Sequence, residues 1–428
     1  MYLNSVEGEY LPSFFIIKLR TNQAVETCQH EDNATFTHEY IHFLQDLTLP
    51  YCIRENLIQL STFFDRIDSV RLSGEVRLPQ TTKLIGEELT TLQANMTWGS
   101  KEIIINSSEI EDIIQSTHYI AAHGFNLYKY ELSFEYGENY HFGARDLLEF
   151  IASKIECKHF KSEHNPPDLP YRTVDLIINF YNMTHISDVK KIALAEYCLL
   201  NDNPAHMLIS LLKSEGFKEI SRLEDGDFVK HLSTAHWKSR GVPEETIQEK
   251  LLRRHNQLRN LLLEKYPERD FSDIFLWFDN TMNYVKEHLS GVFLFTNLYN
   301  ATTNQFRNDI TEIIDRIGIP LLLNNQDELG SFLSDSYNKD QFIQLLLTYE
   351  FSDYLSRNDP QCPLCNSCER ERSEIMNDDC LNAPFRRAHQ DSICPFGAFA
   401  KAHGLETLHW YADNQLIMSQ GSVWPPSA

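Results

Sequence analysis

The sequence predicts a mainly α-helical fold of the α+β class that ends in a small cysteine-rich module. Three observations carry that expectation. Many stretches place their apolar residues at helical intervals, few segments read as strands, and the composition turns Cys- and Pro-rich after about residue 358. A chain of 428 residues with 42% hydrophobic content can bury a large core. It divides into a helical unit over 1–357 and a smaller unit over 358–428, held together by something other than apolar burial.

In chain order, residues 13–19 form a short apolar run that reads as a buried strand. A helix is predicted over 35–49, where Phe36, Tyr40, Phe43, Leu44 and Leu47 recur at helical spacing. Thr35 or Thr37 can start it, and Pro50 ends it. Further helices are expected over 54–70, 109–124, 143–157, 188–200 and 204–215, then over 243–264, 271–290, 303–317 and 340–356. Pro243 marks one start, and Asn201-Asp202-Asn203-Pro204 separates two neighbours. The remaining strand candidates are 74–78, 128–136 and 173–180.

A formal charge of −23 argues against a nucleic-acid partner, because phosphate contacts need clustered Lys and Arg. The basic stripe Lys250, Arg253, Arg254 and Arg259 reads as a solvated helix face balanced by Glu244, Glu245 and Glu249. His231 and His236 are five apart, a poor ligand spacing on a helix. No apolar run approaches a membrane span, and that at 14–17 is too short for a signal core. Cys28, Cys52, Cys157 and Cys198 are scattered singly, which fits a reduced, cytoplasmic protein.

His38-Glu39-Tyr40-Ile41-His42 is an H-E-x-x-H pattern on the helix predicted over 35–49. A spacing of four puts both imidazoles on one face, where they can grip a single zinc ion. Glu39 projects beside them as a candidate general base. Two histidines do not complete a catalytic zinc site, so a third protein ligand must come from elsewhere. Gln45 and Thr48 stand where a metzincin carries its Gly and its third ligand.

The motif instead resembles that of gluzincin-type, zincin-like metallopeptidases, in which a Glu from a later helix completes the site. The resemblance covers the motif helix and one downstream helix. It implies a zincin-like metalloprotease core with extra helices, a catalytic Zn2+ and a Glu ligand. Glu149 is the best match, set among Leu147, Leu148, Phe150 and Ile151, with small residues at Gly143, Ala144, Ala152 and Ser153. A buried Glu wants a cation. Glu196, in another apolar helix, is the alternative, whereas Glu109 and Glu111 look like partners of a helix start. Glu149 lies further beyond His42 than many gluzincins place this ligand, so a substantial insertion must fold between them. For the oxyanion, His141 is the candidate donor, beside Tyr140 and Tyr136. Gln45, Asp46 and Asp146 are candidates to hold the imidazoles.

The tail carries Cys362, Cys365 and Cys368 at two-residue spacings, then Cys380 and Cys394-Pro395. Such spacings let thiolates converge on one metal. Cys362, Cys365, Cys368 and Cys394 are the expected ligands, with Cys380 or Cys368 as the spare. A second, structural Zn2+ is the first expectation; an iron–sulfur cluster and metal-free redox thiols are the alternatives. His389 and His403 are weaker ligand candidates.

Together these features predict a zinc-dependent hydrolase that cleaves a peptide or a restricted protein substrate, with a regulatory partner conceivable at the tail. The rival expectations are a non-enzymatic regulatory or interaction protein with structural zinc sites, and a zinc hydrolase of a non-peptide amide.

Overall fold

The computed structural model describes residues 3–4, 8–25, 33–79, 87–100, 109–120, 125–135, 139–160, 167–234, 244–266, 268–289, 293–326, 328–355, 361–371, 373–382, 384, 386, 394–412 and 415–418. Cys28, Tyr136, His236, Pro243 and His389 lie outside them. Among the described residues the chain is mainly helical, with three small sheets. No helix among them is long and apolar enough to cross a membrane.

The strands are β1 (Leu3–Asn4), β2 (Gly8–Leu11), β3 (Ile16–Leu19), β4 (Glu75–Leu78), β5 (Ile110–Ile120) and β6 (Phe125–Phe134). They continue with β7 (Tyr140–Phe142), β8 (Leu321–Leu323), β9 (Leu329–Gly330), β10 (His409–Ala412) and β11 (Gln415–Met418). The first helices are α1 (Ala34–Thr48), α2 (Pro50–Ser73), α3 (Glu87–Thr97), α4 (Ala144–Phe160), α5 (Thr173–Phe180) and α6 (Asp188–Leu199). Next come α7 (Pro204–Lys213), α8 (Glu215–Ile220), α9 (Asp225–Ser233), α10 (Ile247–Lys265), α11 (Glu268–Tyr284) and α12 (Leu294–Asn300). The last are α13 (Thr303–Ile317), α14 (Lys339–Tyr354), α15 (Cys365–Glu371), α16 (Asp379–Asn382) and α17 (Pro395–Ala402).

The sheet that matters for the site runs β1-β2-β3-β8-β9, with β3 and β8 parallel and the other pairs antiparallel. Helix α1 packs under β2 and β3. Its cap is Asn33, whose side chain accepts from Phe36 N at 2.9 Å, upstream of both expected starts, Thr35 and Thr37. Pro50 follows the end of α1 and also opens α2, where its missing N–H costs nothing. The helix expected over 54–70 therefore starts four residues sooner.

Two expected elements have the wrong type. Residues 109–124 were expected helical, but 110–120 form β5, paired with β6 in a long hairpin, so Glu109 and Glu111 start no helix. Ile110, Ile113 and Ile114 fit a helical period, yet a β-branched stretch with a strand partner pairs instead. Residues 173–180 were expected as a strand and form α5. There Val174, Ile177 and Ile178 repeat at helical spacing and bury one face.

The basic stripe on α10 is also not a solvated face throughout. Lys250 is buried and donates to Leu200 O at 2.7 Å; Arg253, Arg254 and Arg259 pair with Glu245, Asp202 and Asp279.

Helix α4 starts where residues 98–100 cross it. A Cβ on Gly143 would lie 2.3 Å from Trp98 C and Gly99 N, so only glycine permits the crossing. The C-terminal segment shares the main core: Phe351 of α14 packs on Phe399 and Trp410, and β10 pairs in parallel with β4.

Candidate metal centre

Helices α1 and α4 pack against each other and bring His38, His42 and Glu149 to one point. His42 Nε2 lies 3.1 Å from His38 Nε2; Glu149 Oε2 is 3.2 Å from His38 Nε2 and 3.3 Å from His42 Nε2. In a tetrahedral site with bonds of about 2.0–2.1 Å, donor atoms stand about 3.3–3.4 Å apart. The triangle therefore already has nearly the dimensions of one face of such a tetrahedron. All three residues are buried.

The imidazole tautomers follow from their outer partners. His38 Nδ1 lies 2.8 Å from Glu156 Oε2, and a carboxylate accepts. His42 Nδ1 lies 2.7 Å from Gln45 Oε1, whose amide nitrogen donates to Leu148 O at 3.1 Å. That second bond fixes which end of Gln45 faces the ring. Both Nδ1 atoms thus donate, and both Nε2 lone pairs turn inward toward Glu149. Three acceptor atoms in contact repel one another unless a cation, metal or proton, sits among them. The buried His38-His42-Glu149 group can hold a metal ion.

The protonation preferences fit this picture. Burial alone would raise Glu149, but the two imidazoles outweigh it and hold the carboxyl down at about 2. Burial opposes charge on His38, yet Glu149 and Glu156 lift it well above the usual histidine range. Burial keeps His42 below that range despite Glu149.

Glu39 is fully buried and its charge acts on His38 and on Tyr171. Gly8 of β2 covers it: a Cβ there would stand 2.7 Å from Glu39 Oε1. Tyr171 was not singled out in the sequence. Its ring is 6.1 Å from that of His38, and burial, then Glu149 and Glu39, raise its phenol well above the usual range. Arg145, one turn before Glu149, comes within 3.9 Å of its Oε1. Glu156 was also missed, although its spacing of seven from Glu149 places both on one face of α4.

Other expected site residues go elsewhere. His141 is not joined to the centre: its Nε2 approaches Met96 O at 3.4 Å, and Lys129 and Glu131 are the charges it feels. It alternates on β7 between Tyr140 and Phe142, which are the buried pair. Tyr140 donates to Asp146 at 2.9 Å. Asp146 also accepts from Gly143 N and Thr173 Oγ1, so it secures the start of α4 rather than an imidazole. Asp46 accepts from Tyr10 and from Ser13 N and ties α1 to the β2–β3 turn. Gln45 alone of the three meets a ring.

Glu196, the alternative ligand, is 99 and 100 residues from its partners Phe295 N and Thr296 N, which donate to it at 3.3 and 3.0 Å. With Thr296 Oγ1 it closes the first turn of α12, and burial raises it to about 7. It is a helix cap, not a ligand.

Cys362, Cys365, Cys368, Cys380 and Cys394 form no disulfide and line one small cavity. Comparison of the chain with protein-family models, with curated proteins and with solved structures finds no match.

Proposed function

We propose that the chain is a zinc-dependent peptidase of the gluzincin-like type, with a zincin-like core built on α1 and α4. The observation that carries this reading is the convergence of His38, His42 and Glu149 with Glu39 on the same helix. A zinc ion there would polarise a carbonyl and make a bound water acidic near neutral pH. His38, His42 and Glu149 would hold the ion, and Gln45 and Glu156 would orient the rings. Glu39 takes the proton of the attacking water and passes it to the leaving amine. Tyr171 replaces His141 as the proposed oxyanion donor, because its phenol shares the charge environment of both Glu149 and Glu39. The substrate is a peptide or a restricted protein, and cysteines that form no disulfide suit a reducing, cytoplasmic setting. The C-terminal cysteines form a second, separate metal site.

A second reading, a structural metal site in a non-enzymatic regulatory protein, draws on the complete burial of Glu39 beneath Gly8. Glu39→Gln separates the two. Turnover of a peptide library by the wild type, lost in this variant while zinc and fold persist, supports the peptidase. No turnover by the wild type with zinc bound would favour the structural reading. Zinc content unchanged in His42→Ala would remove both.

A further inference from the structure

We propose that Arg145 is a positioning residue for the metal centre: its guanidinium keeps Glu149 a one-oxygen ligand and so leaves the fourth place on the ion to water. The inference deepens the proposed function and rests on zinc binding by His38, His42 and Glu149, though not on a peptide as substrate.

The two oxygens of Glu149 face different partners. Oε2 stands 3.2 Å from His38 Nε2 and 3.3 Å from His42 Nε2, so it is the oxygen placed to meet an ion. Oε1 is buried, accepts no hydrogen bond among the described residues and lies 3.9 Å from Arg145 Nε. A catalytic zinc takes three protein ligands and a water. Were Glu149 to turn both oxygens to the ion, the second would compete for the water's place. A cation beside Oε1 opposes that turn, and between buried partners the attraction is far stronger than in water.

The burial of Arg145 asks for such a role. Its Nη1 donates to Ser100 O at 2.8 Å, a bond that a neutral amide could also make. A full positive charge in the core is costly unless a carboxylate compensates it. Asp146, the adjacent carboxylate, is already committed: its Oδ1 accepts from Tyr140 and Thr173, and its Oδ2 from Gly143 N. Glu149 is the neighbour with an oxygen still open to the guanidinium.

The fold fixes where this cation stands. Arg145 N donates to Trp98 O at 2.9 Å, so backbone and side chain both grip residues 98–100. Ser100 N in turn donates to His141 O at 2.7 Å. That segment crosses the start of α4 at Gly143, and Arg145 and Glu149 follow one turn apart on one face of the helix.

The test is cobalt substitution of the full chain, read by visible absorption in the wild type, Arg145→Gln and Arg145→Lys. Four-coordinate cobalt absorbs more strongly than five-coordinate cobalt, so the band reports whether a second Glu149 oxygen has joined. The wild type is expected to give the strong band and Arg145→Gln a weak one, with metal still bound in both. Arg145→Lys, which keeps the charge, should retain the strong band. Should Arg145→Gln fail to fold, Arg145→Met removes the same charge and is read in its place. A weak band in the wild type, an unaltered band in the neutral variant, or a weak band in Arg145→Lys overturns the proposal while leaving the zinc reading intact. A wild type that binds neither cobalt nor zinc removes that reading, and this proposal with it.

Discussion

Gln45 accepts a hydrogen bond from His42 Nδ1 at 2.7 Å while its own amide is held by Leu148 O, the carbonyl beside Glu149. One side chain thus sets the tautomer of one ligand and references it to the helix that supplies another.

Gln45→Leu keeps the bulk but leaves His42 Nδ1 without its acceptor. Zinc affinity is expected to fall by roughly 10–100-fold, as for other lost outer partners of metal-bound histidines. Competition with a chelating dye measures it, and an unchanged affinity would show that His42 is oriented by packing alone.

Gly8 bears on Glu39, the proposed base. A methyl at this position would lie 2.7 Å from Glu39 Oε1 and 2.8 Å from Glu39 Cγ. Gly8→Ala is expected to cost about 1–3 kcal/mol of stability and to lower turnover with zinc still bound. Denaturant titration and metal analysis check both; an unperturbed midpoint would mean that β2 yields freely.

Tyr171→Phe removes only the phenol oxygen. Turnover should drop on the order of 100-fold with KM little changed, as for loss of one oxyanion donor. A rise in KM instead, with kcat preserved, would make Tyr171 a substrate-binding residue.

Glu196 gives a pH dependence remote from the His38-His42-Glu149 group. Burial raises its folded-state pKa from 4.5 to about 7, so the folded chain holds this proton more tightly than the unfolded one. The associated stability is complete below about pH 4.5 and is lost as pH rises through 7, at most about 3 kcal/mol. Urea unfolding between pH 5 and 8 should show this decline in the wild type and a flatter profile in Glu196→Gln. Parallel profiles would assign the decline to other groups.

Much of the candidate metal site was legible because its signals are local. His38, Glu39 and His42 follow from helical spacing, and Glu149 from a carboxylate placed amid apolar neighbours. Glu196 carried the same signal for a different reason, since the N–H groups that satisfy it come from α12, about 100 residues away. Tyr171 lacked any signal: it reaches the site by the path of the chain before α5, which no periodicity encodes. The exchanged types of β5 and α5 have one cause. Isoleucine-bearing runs satisfy both periods: backbone pairing with β6 sets β5, which stays mostly exposed, whereas burial of one helical face sets α5.

Strand β10 lies beside β4, the strand that directly continues the helix begun at Pro50. Ending the chain near residue 357 would strip Val76 of Trp410 opposite it and open the ring cluster of Phe351 to water. The cysteine lobe is therefore not a removable accessory. Limited proteolysis should degrade both parts together rather than release a durable N-terminal fragment, and inheritance would have to carry the two lobes as one piece.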